Sequence, residues 1–501
     1  MELRELVGAA GVDGRRLRHV LTLLCDGRWW TLGDLVRETA TSRRTIEELL
    51  RAVELERNGE RFRIPLAHTP EYQDLLAMAP GPEDPVGHLV PHYRTVLERL
   101  EALIAKAPRG RHTLDHVAAT PDTVLRRALL LGARFWLPGS RLLCVGDHDL
   151  TSLAVRMVHP EVEVTVVDID DRILAYLDEQ DLGVRTRWAD LRLGLPGSVR
   201  EHDLAITDPP YTPEGIGLFV ARGLEGLKAD GRVLLAYGAS ERTPALALKV
   251  QNALSSLNLS YEAIYPDFNR YFGAEAIGSA ADLYILRPTT KTGPAVAARL
   301  ESVGTAIYTQ GPQSVEAETG HQAIELGDLE PDLLVGEWPK ALPQPRVKLG
   351  TWLAKPYLGK QGAVAIAVPA GLEAALPRLV LAAQSAHVRL YLPEPLHSRG
   401  PLEALAPLCE IDVRGAVVDV TRSTPDDPAG RIAHRILSRG HGKMANAWRE
   451  ALIAESAGAL TKNEARALIR HAAPWADDLT PLEAPLHRLT TLPAAIDASL
   501  P

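Results

Sequence analysis

The sequence predicts an α/β protein built on a doubly wound, Rossmann-like sheet, with a helical module before it and a second α/β module after it. Three observations carry that expectation. From Arg141 onward, short apolar runs alternate with stretches of helical periodicity, the pattern of a parallel sheet covered on both faces. Several of these runs end on an aspartate, at the edge where open α/β sheets bind their ligands. Residues 1–65 read instead as helices followed by a hairpin.

The amino-terminal domain, residues 1–65, has the layout of a winged helix. Leu17, Val20, Leu21 and Leu24 share one helical face. Thr31, with Asp34 three residues on, opens a second helix as a capping box, and Ser42 opens a third through Thr45, Leu49 and Val53. Residues 55–64 alternate around Asn58-Gly59, a hairpin signal. Arg43, Arg44 and Arg51 are the residues that would meet a nucleic acid. Eleven acids against twelve arginines over residues 1–65 is a weak footprint for a duplex binder, so a structural or dimerising module is expected, and a homodimer with it.

Residues 66–140 are expected to be a linker with helices that lead into the next domain: a proline-rich stretch over 66–92, an amphipathic helix over 93–106, a loop and a helix over 123–136. Residues 141–290 hold the doubly wound sheet. Its strands are expected at 142–145, 162–167, 185–188, 204–206 and 232–237. Residues 291–345, rich in polar residues, glycine and proline, are expected as an irregular linker. Residues 346–501 read as a further α/β module, with strands at 363–368, 388–392 and 416–420 and a basic helical segment over 441–473. This module has no recognisable chemistry of its own.

Composition narrows the function classes. A chain of 501 residues with 46% apolar and 24% charged residues is an ordinary globular sequence of several domains. No apolar run reaches the ~18 residues of a membrane span, and the amino terminus lacks a basic-then-apolar leader, so no membrane association and a cytoplasmic location are expected. Cys25, Cys144 and Cys409 are far apart and the histidines are scattered, so no metal site is expected. The net charge is −9, and residues 141–290 alone hold 22 acids against 14 Lys and Arg. Such a domain disfavours phosphate backbones and attracts polycations.

The motif Asp208-Pro209-Pro210-Tyr211 closes the fourth strand of that domain. Two prolines stiffen the turn, which holds a carboxylate and a ring where an amine nitrogen has to be aligned with an electrophilic carbon. The first strand's turn carries one glycine, Gly146, followed by Asp147, His148 and Asp149. Flanking carboxylates would repel a pyrophosphate and suit a cationic sulfonium ligand carrying an amine. Asp168 ends the second strand, where an acid takes ribose hydroxyls, and Asp190 follows the third, placed for an adenine amino group. Each acid also reads as a cap for the helix that follows it.

Together, residues 145–152, Val167-Asp168-Ile169-Asp170, residues 207–212 and Asp267-Phe268-Asn269-Arg270-Tyr271 resemble the branched-chain polyamine synthases, the bis(aminopropyl)spermidine synthases of thermophiles. The resemblance covers about residues 1–290 and implies a winged helix followed by a methyltransferase-like Rossmann domain. It implies aminopropyl transfer from decarboxylated S-adenosylmethionine, a co-substrate rather than a tightly bound cofactor, to the secondary amine of spermidine, with release of methylthioadenosine. Asp208 would then bind and deprotonate the attacking amine. Pro209, Pro210 and Tyr211 would shape the acceptor pocket with Tyr271, and Gly146, Asp147, Asp149, Asp168 and Asp190 would hold the donor. Tyr284 is a further candidate pocket aromatic.

One position departs from the resemblance. His148 stands where a third acid is expected, which removes a negative charge and leaves room for intact S-adenosylmethionine. A methyltransferase acting on an amino group of nucleic acid or a small molecule is therefore the second reading. A winged-helix regulator whose Rossmann domain senses a nucleoside is the third.

Overall fold

A computed structural model describes residues 2–76, 78, 79, 81, 83–311, 313–315, 325–396 and 398–500. At the amino terminus, helices Leu3–Ala9, Gly14–Leu24, Leu32–Thr39 and Arg43–Leu50 precede a hairpin of β1 (Glu56–Asn58) and β2 (Arg61–Arg63). The stripe Leu17, Val20, Leu21 and Leu24 is buried against Leu35, Ile46, Leu49 and Ile64, as its spacing predicts. Thr31 caps its helix by accepting the Asp34 N–H at 3.1 Å. The Ser42 hydroxyl makes no cap; it reaches the Glu241 carboxylate at 2.7 Å instead.

The next sheet has seven strands: β3 (Arg141–Val145), β4 (Glu163–Asp168), β5 (Val184–Trp188), β6 (His202–Thr207), β7 (Leu227–Tyr237), β8 (Leu259–Arg270) and β9 (Ala280–Pro288). Their order is β5-β4-β3-β6-β7-β9-β8. β4 and β5 run parallel, whereas β9 pairs antiparallel with both β7 and β8. The expectation of a parallel sheet thus needs correction at this edge. β8 and β9 are not among the strands expected from the sequence; most of β8 is exposed or half-buried, so no continuous apolar run marks it. Its register also shifts between Tyr265 and Asn269, which breaks the alternation that a sequence pattern would show.

A second sheet has six strands: β10 (Leu333–Val335), β11 (Arg346–Val347), β12 (Ala363–Ala367), β13 (His387–Tyr391), β14 (Cys409–Arg414) and β15 (Val417–Arg422), in the order β11-β10-β12-β13-β15-β14. The expected strands at 363–368, 388–392 and 416–420 correspond to β12, β13 and β15. The segment expected as an irregular linker, 291–345, contains helix Thr292–Glu301 and strand β10. Three buried residues, Leu333, Leu334 and Val335, are enough to seat β10 between two parallel neighbours, too short a run to stand out in a polar sequence. Positions 312 and 316–324 of that segment lie outside the described residues. The basic segment 441–473 forms helices Met444–Glu455 and Lys462–Ala472.

The chain divides into two compact units. One comprises Met1–Leu142, Asp147–Glu163 and Asp203–Arg299; the other comprises Leu143–Gly146, Val164–His202 and Leu300–Pro501. Within the second, ion pairs fasten the carboxyl-terminal segment to the β4–β5 region. Buried Arg378 reaches Asp171 at 3.1 Å and stacks over the Trp188 ring at 4.2 Å. Asp178 accepts from His487 and Arg488, both at 2.8 Å. Within the first, Arg16 pairs with Asp267, Arg43 with Glu275 and Arg242 with Glu48, so the amino-terminal helices are tied to the β8 region. No described helix is long and apolar enough to cross a membrane.

Candidate active site

The motif turn leaves β6 at Thr207, and Thr212 caps the following helix, Pro213–Gly226, by accepting the Gly215 N–H at 2.9 Å. Asp208 lies between these two fixed points. Its carboxylate is gripped from three sides: Arg127 Nη2 donates to Oδ2 at 2.6 Å, Tyr271 Oη to Oδ2 at 2.7 Å and Tyr211 Oη to Oδ1 at 3.0 Å. The two phenol oxygens are 3.1 Å apart. The structure thus brings together Asp208, Tyr211 and Tyr271, which the sequence analysis singled out, and adds Arg127.

Arg127 sits on helix Pro121–Arg134, on the face that buries Val124, Ala128 and Leu131. Its guanidinium is fully committed. Nη1 donates to Asp149 at 3.0 Å, and Nε donates to Asn269 at 2.8 Å. Asn269 is held in turn by its amide, which donates to the carbonyls of Ala281 and Asp282. Its position in the Asp267–Tyr271 motif therefore has a physical reason, since it orients the arginine that orients Asp208. The sequence signal for Arg127 was a lone arginine on an apolar helix face.

The Arg127 side chain is 3% exposed and that of Asp208 is 19% exposed, so the carboxylate is the member of the pair that a ligand can reach. Burial pushes the Asp208 carboxyl up to about 6. The Arg127 guanidinium opposes that rise and the Asp149 carboxylate adds to it. Burial and the negative charge of Asp208 hold the phenols of Tyr211 and Tyr271 well above their ordinary value, so both remain protonated donors. The site is a carboxyl that titrates near neutrality, with two phenols and a guanidinium fixing its lone pairs. Such a carboxylate can accept a proton.

Of the acids expected to hold a donor, Asp149 spends one oxygen on the Ala119 N–H at 2.7 Å and the other on Arg127. Its observed work is to brace the arginine. Asp147 accepts the Ser152 N–H at 3.2 Å and its hydroxyl, at the start of helix Thr151–Val158, as the capping reading anticipates. His148 stacks on His116, ring centroids 4.3 Å apart, and its buried Nδ1 has no hydrogen-bond partner.

In the second unit, Gly146 follows β3 with φ of +73°, a conformation that favours glycine, and its N–H donates to the Val167 carbonyl at 2.8 Å. Asp168 ends β4 and accepts the Asp170 N–H at 2.8 Å. Asp190 is buried and takes a two-pronged grip from Arg192, at 2.8 and 2.6 Å. Arg192 extends to the Gly371 carbonyl at 3.1 Å, so residues beyond 300 support this aspartate. Pro209 and Pro210 are buried beside Asp208. Among the described residues no group of His, Cys, Asp and Glu is arranged to hold a metal ion.

Residues 95–310 match the model of the branched-chain polyamine synthase A C-terminal domain. The N(4)-bis(aminopropyl)spermidine synthase of Methanocaldococcus jannaschii is 31% identical over 189 residues, 36% of this chain and 54% of that protein. That of Thermus thermophilus is 31% identical over 222 residues, 39% of this chain and 64% of that protein. The chain spans about half the length of the curated relatives it matches. The crystal structure of the Thermus thermophilus branched-chain polyamine synthase in complex with N4-aminopropylspermidine and 5'-methylthioadenosine is similar with a TM-score of 0.41 and 23% identity, over 57% of this chain and 90% of that one. Residues 95–310, which include the Asp208 site, are thus similar to the branched-chain polyamine synthases.

Proposed function

We propose that the protein is an aminopropyltransferase that moves an aminopropyl group from decarboxylated S-adenosylmethionine to an amine of a polyamine such as spermidine. The observation that carries this reading is the Asp208 carboxyl, raised to about 6 and clamped by Arg127, Tyr211 and Tyr271. A protonated amine has no lone pair. Asp208 accepts its proton, the freed nitrogen attacks the carbon beside the sulfonium, and the breaking C–S bond leaves its electrons on sulfur as neutral methylthioadenosine. The names of the curated relatives support the same chemistry.

In this reading Pro209, Pro210, Tyr211 and Tyr271 shape the acceptor side. Gly146, Asp147, Asp168 and Asp190 serve the donor, while Asp149 braces Arg127. The amino-terminal helices and hairpin form a winged helix with a structural role. Arg43, Arg44 and Arg51 are each paired with a glutamate, which supports that role over DNA binding. A homodimer in the cytoplasm remains the expected setting.

One observation favours the methyltransferase reading. His148 brings an imidazole where an acid was expected, and it suits a donor tail that keeps its carboxylate. Incubation of the protein and spermidine with either decarboxylated or intact S-adenosylmethionine, with products read by mass, tests the two readings together. Aminopropylated spermidine from the decarboxylated donor alone is the expected result. Methylated product from the intact donor overturns it.

A further inference from the structure

A second feature lies in the same unit, beyond the residues assigned above. On the antiparallel pair β7 and β9, Tyr237 stands directly opposite Asp282, and Tyr284 is two residues further along β9. Opposed residues and residues two apart share a face of the sheet, so Tyr237, Asp282 and Tyr284 point the same way. The Tyr211 ring, whose hydroxyl bonds Asp208, meets the Tyr237 ring edge-on at 5.5 Å. Tyr237 is 6.3 Å from the Tyr284 ring, and Tyr284 is 6.2 Å from Tyr261, which is exposed. The four rings make a continuous series from the buried carboxylate to solvent.

Two polar groups on this series are unusual. The Tyr237 hydroxyl is buried, on a residue only 3% exposed, and has no hydrogen-bond partner. Leaving such a group unpaired is costly, so the fold retains it at a disadvantage unless a ligand supplies the partner. Asp282 is a half-buried carboxylate in the interior of a sheet. It accepts the Asp267 N–H at 2.8 Å and the Tyr284 hydroxyl, and the charges that face it are Asp267, which is like-signed, and Arg16, which already pairs with Asp267. Burial raises the Asp282 carboxyl, and with the Asp282 charge it pushes the Tyr237 phenol up to about 12. A cation arriving between them relieves both groups at once.

We propose that Tyr237, Tyr284 and Asp282 form a second ammonium subsite, which holds a distal protonated nitrogen of a polyamine while the reacting nitrogen lies at Asp208. The Tyr237 hydroxyl accepts an N–H, Asp282 supplies the counter-charge, and the ring faces stabilise the cation. An amine with no second nitrogen gains nothing from the subsite, so the subsite selects for polyamines.

The inference rests on the amine-binding reading of Asp208, and the test separates the two. Calorimetry measures the binding of spermidine and of dipropylamine, a secondary amine with no second nitrogen, to the wild-type protein and to the Tyr237→Phe, Asp282→Asn and Asp282→Glu variants. Spermidine affinity is expected to fall about tenfold or more in Tyr237→Phe and Asp282→Asn and to recover in Asp282→Glu, with dipropylamine affinity unchanged throughout. Equal spermidine affinity in wild type and variants overturns the subsite and leaves Asp208 untouched. A parallel loss for both amines also overturns it, as damage to the fold. No spermidine binding by the wild type overturns the subsite together with the reading on which it rests.

Discussion

The Arg127 Nη2 atom donates to Asp208 Oδ2 at 2.6 Å while its Nη1 donates to Asp149 at 3.0 Å, so one buried guanidinium holds two carboxylates apart. Burial raises the Asp208 carboxyl to about 6, and the Arg127 guanidinium opposes that rise. Without the arginine, two buried acids share the site and one of them keeps its proton.

A pH dependence follows. Transfer needs Asp208 ionised, and its carboxyl is raised to about 6. Below pH 6 the active fraction falls about tenfold per unit, and above it this limb is flat. The measurement is kcat/KM against pH with spermidine as acceptor. A limb near 4, the ordinary carboxylate value, would place the base elsewhere.

Arg127→Met leaves Asp149 and Asp208 facing each other without a cation. The expected loss of stability is roughly 3–5 kcal/mol, read by chemical denaturation, because an uncompensated charge stays buried. The acidic limb of kcat/KM moves upward in pH, since the guanidinium is the main group holding Asp208 down. Arg127→Lys rescues little, because one ammonium cannot reproduce the fork to Asp149, Asn269 and Asp208.

Tyr271→Phe removes a donor to Asp208 Oδ2, a bond that favours the ionised carboxylate. The same limb shifts upward, by less than in Arg127→Met, and kcat at neutral pH falls severalfold. The ring remains, so the thermal midpoint changes little.

Arg378→Ala probes the carboxyl-terminal segment. That side chain is 1% exposed, pairs with Asp171, donates to the Ala484 carbonyl and covers the Trp188 ring. Its loss strands Asp171 and opens a void beside Trp188, costing about 3 kcal/mol or more in denaturant unfolding. An unchanged midpoint would show that residues beyond 300 do not brace the β4–β5 region.

Much of this was legible in the sequence because strand ends announce themselves. A short apolar run that stops at Asp168 or at Asp208 gives both the strand and the acid. Arg127 was not legible, since its partners Asp149, Asp208 and Asn269 are scattered along the chain and meet only in the fold. β8 was hidden by its exposure and its register shift, and with it the reason for Asn269. The attachment of the carboxyl-terminal segment was equally hidden, because single charges such as Asp178 with Arg488 form no local pattern.

Asp208 is the proposed base for the attacking amine. The most direct test is the single-turnover rate of methylthioadenosine release with spermidine and decarboxylated S-adenosylmethionine, in wild type and in Asp208→Asn. We expect the variant to remain folded under the assay conditions while transfer at saturating spermidine slows by about 10²–10⁴. Transfer at the wild-type rate would contradict the assignment and move the chemistry to another group.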